Sequence, residues 1–347
     1  VITTNVDGAF DSQVTLGKPV SLDGVNVTYF ESRQLRRLYW SRSMHAALPA
    51  AVRRAQIVHL HSVFLWPTNA AARVARRLGV PYVLSPHGAL VPELIEGRNR
   101  AIKAVWLQLV ERSTLAHAAR LQVTSRAEAR HASRIGLSIP QAVVIPNGVD
   151  PPATVDAVAN DPNLAREMAA GPYAVFLGRI SWEKGLSRLL RAIASTPIRV
   201  LLAGFDERGQ RAKLEADARR AGLVNQLTFL GSVEGRDKWT LLRGARFLIL
   251  PSYHESFGIS VVEAMAVGCP VVVTRDVGAS EWLRPGIDGI VTSGEPESLR
   301  HAMVELWSNA VMREAVSTAG RTSARKHFSW RSIAELTEGS YRAVLER

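Results

Sequence analysis

The chain has 347 residues, is 47% hydrophobic and 21% charged, and carries a formal net charge of +12. That length predicts about two domains, each able to bury its own core. The single cysteine, Cys269, excludes an intrachain disulfide framework or a cysteine-based zinc site, and fits a reducing compartment.

The positive charge is uneven. Residues 1–150 hold 18 Lys/Arg against 9 Asp/Glu, a balance of +9, and the remainder holds +3. On charge alone the favoured reading is a solubilising surface. The sharper one is attraction to an anionic membrane or a phosphorylated acceptor. Nucleic acid has no support, since there is no zinc finger, aromatic RNA-binding signature or Lys-rich tail. No stretch reads as a signal peptide or spanning helix, because even charge-free windows such as 55–72 contain His, Gln, Pro and Asn. The expected location is cytoplasmic, with peripheral attachment to the inner face of the cell membrane as an option.

In chain order, the first element is a strand at Val1–Thr4. No strand–loop–helix unit of the kind that begins a Rossmann-like domain precedes it, so a missing N-terminal segment is expected. Short Val/Ile/Leu runs then predict strands at Val25–Phe30, Ile57–Leu60, Tyr82–Ser85, Leu121–Thr124 and Val143–Ile145. After the turn-rich segment Pro146–Pro162 come Ala174–Leu177, Arg199–Ala203, Leu227–Leu230, Phe247–Leu250 and Val271–Thr274. Helical stretches lie between them. Gly79 stops one after Ala70–Leu78, and Leu186, Leu189, Leu190 and Ile193 mark one face of another. Strands alternating with helices predict parallel sheets, and ten strands fit two domains better than one. In such sheets ligands bind at the carboxyl ends of strands, so the loops that follow strands are the places to search.

Two loops carry chemistry. The first runs Gly178-Arg179-Ile180-Ser181-Trp182-Glu183-Lys184-Gly185 between a strand and a helix. Arg179 offers a planar fork to phosphate oxygens and Lys184 a point charge. Two surface cations beside a turn is the plainer alternative. The second runs from Leu250 through Glu255, Ser256, Phe257, Gly258 and Ile259 to Glu263. Glu255 falls in the loop and Glu263 on the second turn of the helix beginning near Ile259, whose free N–H groups can face an anion. Carboxylates there can accept from sugar or ribose hydroxyls, and a Glu263 set among Val261, Val262, Ala264 and Met265 needs a partner if buried. A helix cap and an exposed Glu would be the plain reading.

This Glu-x7-Glu segment, with the Gly178–Gly185 loop before it, resembles glycosyltransferase family 4, the group 1 glycosyltransferases. Ile145–Asp150 is similar to the family's inter-domain junction, and Ser85-Pro86-His87-Gly88-Ala89-Leu90 to a variant in polysaccharide-assembly members. Val277–Glu281 and Gly286–Ile290 are similar to its later loops. The resemblance implies an α/β GT-B fold, with two Rossmann-like doubly wound domains facing a cleft. Residues 1–150 would form the acceptor-side domain and 151–325 the nucleotide-sugar-binding domain, with 326–347 a helix crossing back to the first. It implies a retaining transferase using a nucleotide diphosphate sugar (UDP- or GDP-sugar) and a saccharide or lipid-linked acceptor in surface polysaccharide or lipopolysaccharide assembly, without cofactor or metal ion. Arg179 and Lys184 would hold the diphosphate. Glu255 would bond the transferred sugar. The Ser256, Phe257, Gly258 and Ile259 backbone, with Gly178, would approach the donor. Glu263 would accept from the ribose, Gly204 and the Gly231-Ser232-Val233 turn would lie near the base, and His87 would reach the sugar from the first domain. As a bare residue His87 reads equally as a satisfied loop histidine.

There is no Asp-x-Asp; Glu215-x-Asp217 on a polar helix face and Glu295-x-Glu297 in a loop read as solvated charges. The sequence departs from the family in lacking its N-terminal Gly-rich loop, in Ala279-Ser280 before Glu281, and in an unreadable acceptor-side helix after Leu90. A dehydrogenase would need a Gly-x-Gly-x-x-Gly between strand and helix, which is missing. A truncated, inactive nucleotide-sugar-binding protein is the other alternative.

Overall fold

The computed structural model describes residues 1–8, 10–92, 100–207 and 209–346. Part of the stretch after Leu90, where no acceptor-side helix is legible in the sequence, lies outside them. The chain divides into two compact units. Unit 1 is Val1–Ile145 with Thr337–Arg347, and unit 2 is Pro146–Leu336.

The strands of unit 1 are β1 (Ile2–Thr4), β2 (Val6–Asp7), β3 (Phe10–Asp11), β4 (Pro19–Leu22), β5 (Val25–Phe30), β6 (Val58–His61), β7 (Tyr82–Ser85), β8 (Arg120–Val123) and β9 (Ala142–Val144). The last four form a parallel sheet in sequence order. Tyr82, Leu84, Leu115 and Leu121 are fully buried about it. The all-parallel expectation fails ahead of that sheet. β5 pairs in parallel with β1 but antiparallel with β4, and β2–β3 is a second antiparallel pair. The β4–β5 turn is Asp23-Gly24, both with positive φ (48° and 81°), which is the two-residue hairpin that an Asp-Gly pair favours.

Unit 2 is one parallel sheet of β10 (Ala174–Leu177), β11 (Val200–Ala203), β12 (Leu227–Gly231), β13 (Leu248–Leu250), β14 (Val271–Thr274) and β15 (Ile290–Thr292). Its spatial order is β12-β11-β10-β13-β14-β15. Val175, Leu201, Ile249 and Val272 are fully buried, so the continuous apolar runs are explained by helices on both faces. β15 is an edge strand of three residues that no sequence expectation covered. The lone thiol, Cys269, is buried in this core, and burial pushes its pKa far above the usual thiol range. The chain order reverses between β10 and β13, which puts the loops after those two strands side by side.

Helix boundaries follow local chemistry. Trp66–Leu78 starts earlier than its apolar stripe suggests, with Pro67 in its first turn, and stops at left-handed Gly79. Leu186–Ile193 buries Leu186, Leu189, Leu190 and Ile193, as their spacing predicts. Glu295 and Glu297 are not in a loop but at the N-cap and first turn of the helix Pro296–Ser308, where carboxylates suit the helix dipole. Among the described residues no helix is long and apolar enough to cross a membrane.

Candidate active site

The loops after β10 and β13 meet through a glycine. Gly185 adopts a left-handed φ of 65° and closes a 3-10 turn, Trp182–Lys184. A Cβ there would collide with the carbonyl of Pro251, so only glycine lets the first loop lie against the second. The Tyr253 amide donates to the Glu183 carbonyl at 2.7 Å and ties the loops again. Gly204, after β11, lies so close to the Gly178 carbonyl that it too has no room for a side chain.

Glu255 is held through its backbone. Its amide donates to the Asp276 carbonyl at 3.1 Å, and its carbonyl accepts from the Gly278 amide at 2.9 Å. Three residues on, left-handed Gly258 opens the helix Ile259–Ala266. Between Glu255 and Gly258 the Phe257 ring turns into the core against Phe328, with ring centroids 6.0 Å apart, and its carbonyl accepts from the Ala279 amide.

These elements bound a groove of about 820 Å³ of empty space. Gly178, Arg179, Lys184, Gly204, Val233, Glu255, Gly258, Ile259 and Glu263 all line it. Cations, carboxylates and glycines from separate loops thus share one surface within unit 2. Ser256 and Phe257 do not line it, and His87 belongs to unit 1.

Each cation of the groove faces an acid. Lys184 pairs with Glu255, both side chains largely buried. Lys238, on the helix Gly235–Gly244, pairs with Glu263 at 2.6 Å, again with little exposure. Arg179 pairs with Glu207 at 3.1 Å in a more exposed setting. Lys238 and Glu207 escape sequence reasoning, as do Phe205 and Glu234 on the groove wall. The partner that a buried Glu263 requires is the one signal that pointed toward Lys238. A groove of paired charges can accept a diphosphate by exchange: phosphate oxygens replace carboxylates on the cations, and the freed carboxylates turn to hydroxyls.

Unit 1 gathers different groups at its strand ends. His59 and His61 stand two apart on β6, with ring centroids 4.2 Å apart. His61 Nδ1 is hydrogen-bonded to His87 Nε2 at 2.9 Å. His59 is hydrogen-bonded through Nε2 to Ser85 Oγ at 2.8 Å and through Nδ1 to the Tyr341 hydroxyl at 2.5 Å. Burial, then the neighbouring imidazoles of His61 and His87, push the pKa of His59 down to about 3. Burial and His87 lower that of His61 as well. His87 has a left-handed φ of 51°, and the Gly88 amide beside it donates to the buried Glu128 carboxylate at 2.5 Å. The other oxygen of Glu128 accepts from the Thr124 amide and hydroxyl at 2.8 and 2.7 Å. Glu128 stands third after Ser125, whose hydroxyl accepts from its amide at 3.0 Å. The sequence pattern is that of a helix capping box, but the carboxylate also serves the His87–Gly88 turn.

The two units carry the GT-B glycosyltransferase fold. The HepE protein of Anabaena, solved in complex with UDP and glucose, matches it with a TM-score of 0.73 at 20% identity, over 92% of this chain and 87% of that one. A model described as a glycosyl transferase 4-like domain matches residues 2–148, and one described as glycosyl transferases group 1 matches residues 165–323. The chain therefore belongs to family 4, the group 1 glycosyltransferases. A phosphatidyl-myo-inositol mannosyltransferase of Mycobacterium leprae is 36% identical over 58% of this chain and 54% of its own length. A D-inositol 3-phosphate glycosyltransferase of Mycobacterium bovis is 30% identical over 86% of this chain and 66% of its own length. The chain thus spans about half to two thirds of these relatives.

Proposed function

We propose that the protein transfers a sugar from a nucleotide diphosphate to a saccharide or lipid-linked acceptor, in surface polysaccharide or lipopolysaccharide assembly. The observation that carries this reading is the groove of unit 2, where Arg179, Lys184 and Lys238 stand beside a helix N-terminus and opposite carboxylates. The cations and the helix end stabilise the negative charge that develops on the leaving diphosphate. Glu255 orients the sugar through its hydroxyls, Glu263 takes the ribose hydroxyls with Lys238 holding its carboxylate, and Val233 and Gly204 border the base. The charge needed at the diphosphate comes from side chains, without a metal ion.

The proposed transfer retains the anomeric configuration. The bond from the anomeric carbon to the diphosphate oxygen breaks, the acceptor oxygen bonds to the same face, and its proton passes to the leaving diphosphate. Unit 1 carries the acceptor side, where His87 is the residue read as reaching the sugar and His61 and Glu128 fix the His87–Gly88 turn. HepE was solved with UDP, which supports a UDP-sugar donor, and the relatives' names include a phosphatidylinositol and an inositol phosphate, which supports a lipid-borne or phosphorylated acceptor. In this reading the protein works in the cytoplasm, at the inner membrane face.

A thermal-shift screen of UDP-, GDP- and ADP-sugars tests the donor. One nucleotide series should raise the melting temperature as ligand binding to the native state requires. No shift with any of them would refute the assignment of the groove.

A further inference from the structure

The loop Gly178–Gly185 serves two sites. Arg179 and Lys184 line the donor groove, whereas Ile180, Ser181 and Trp182 line a separate hollow of about 520 Å³ of empty space. That volume is within the range of small-ligand sites, roughly 300–1,000 Å³. The helix Gln210–Arg220 forms its far wall with Gln210, Lys213 and Asp217. Tyr253, from the loop that carries Glu255, completes the rim, and no residue lines both the hollow and the groove. The Tyr253 ring is fixed by Arg188, whose guanidinium lies 3.7 Å from the ring centroid, and its hydroxyl stands 3.3 Å from that of Ser187. Trp182 is 57% exposed, so packing within the unit leaves much of its indole uncovered.

The polar groups of the hollow lack partners. Ser181 is only 5% exposed, yet its hydroxyl makes no hydrogen bond and does not cap the 3-10 turn that follows it. Such a group costs free energy that a ligand hydroxyl would offset. Among the described residues, Trp182 Nε1, the Gln210 side-chain amide and the Lys213 ammonium have no protein partner either. Asp217 gives one carboxylate oxygen to Arg220. A pyranose ring carries apolar C–H groups on its faces and hydroxyls around its rim. The faces suit the two aromatic rings and the buried Ile180, Leu186 and Leu214, and the rim suits a mixed set of donors and acceptors. A wholly apolar ligand would leave those polar groups unpaired. The ionic residues of the described lining are one of each sign, Lys213 and Asp217, which suits a neutral chain; Arg208, two residues before the helix, lies outside the described residues.

We propose that this hollow is a second saccharide-binding site, in which Trp182 and Tyr253 receive the sugar faces of a neutral oligosaccharide and Ser181, Gln210, Lys213 and Asp217 meet its hydroxyls. The inference goes beyond the transfer reading and does not depend on which donor the groove takes. A chain held here is bound apart from the reacting bond, on the opposite face of the loop that presents Arg179 and Lys184 to the groove.

Calorimetric titration with maltohexaose, cellohexaose and mannohexaose tests it. At least one of the three should bind, and Trp182→Ala should weaken that binding by about tenfold, because a stacked aromatic anchor is usually a dominant contact. Gln210→Ala, on the far wall and outside both donor loops, should weaken it by about threefold through a lost hydrogen bond. The thermal shift of Gln210→Ala with the donor nucleotide should equal that of the unaltered protein. No binding of any of the three, or binding left unchanged by either substitution, would overturn the proposal. So would adenosine binding at Trp182 in preference to the oligosaccharides, or concentration-dependent dimerisation that Trp182→Ala abolishes, because a nucleoside or a second copy would then be the occupant. Absence of any nucleotide shift with oligosaccharide binding intact would count against the donor reading alone.

Discussion

At the carboxyl ends of their strands the two units assemble opposite kinds of chemistry. Unit 2 sets charge against charge around a groove: Lys184 with Glu255, Lys238 with Glu263, Arg179 with Glu207. Unit 1 stacks imidazoles, of which His59 and His61 are held below the usual imidazole range by burial and then by neighbouring rings, and uses buried carboxylates to hold backbone amides. A charged groove is built to exchange partners with an ionic ligand, so its energy depends on what occupies it. Imidazoles and backbone amides already bonded to protein groups fix geometry instead. The same strand-end position therefore serves binding in one unit and positioning in the other.

The contrast breaks most visibly at Lys184. Lys184→Ala should lower transfer by roughly 10- to 100-fold while far-ultraviolet dichroism stays unchanged, because charged hydrogen bonds contribute about 1.5–3 kcal/mol. Steady-state kinetics with the donor found by the screen checks this, and unaltered kinetics would remove the central assignment. Next in size, Glu263→Ala should weaken nucleotide affinity by about tenfold through lost ribose contacts, read by calorimetric titration. Lys238→Met, leaving Glu263 in place but unpaired, should shift affinity in the same direction.

A smaller effect belongs to unit 1 and to pH. His59 binds its proton only near pH 3 when folded, whereas an unfolded chain binds it near 6.5. The unfolded state therefore holds more protons between those values, so the stability associated with His59 is complete above about pH 6.5 and declines as pH falls toward 3. Urea unfolding midpoints measured down the pH scale should fall less steeply for His59→Asn. A parallel slope in both proteins would assign the decline to other groups. The smallest change is expected at Glu207, whose pair with Arg179 is partly open to solvent. Glu207→Gln frees the guanidinium and should tighten nucleotide binding by no more than about twofold, as exposed pairs are worth little.

The fold of unit 2 was legible because doubly buried strands leave unbroken apolar runs. Ala174–Leu177 and Val271–Thr274 were placed to the residue. β15 was missed because three residues, Ile290–Thr292, carry too little pattern. In unit 1 the signal at Asp23-Gly24 was present in the sequence, but β4 offers only Val20 and Leu22 as apolar residues and has no buried face to reveal it. At the site, residues within one loop could be read together, since Gly178–Gly185 and Glu255–Glu263 are contiguous motifs. Lys238, Glu207, His61 and Glu128 could not, because each acts on a partner brought near only by folding. Glu128 in particular was hidden by its second role as part of a capping pattern.

Cys269 makes unit 2 report on its own opening. The chain's one thiol lies in the core of that unit with its thiolate strongly disfavoured. Maleimide needs an accessible thiolate, so the folded protein should remain unlabelled except through excursions that expose this core. The rate of modification, followed by mass, then counts those excursions without any engineered probe. A donor that binds the groove should slow the reaction in proportion to its occupancy, whereas events confined to unit 1 should leave the clock running at its original pace.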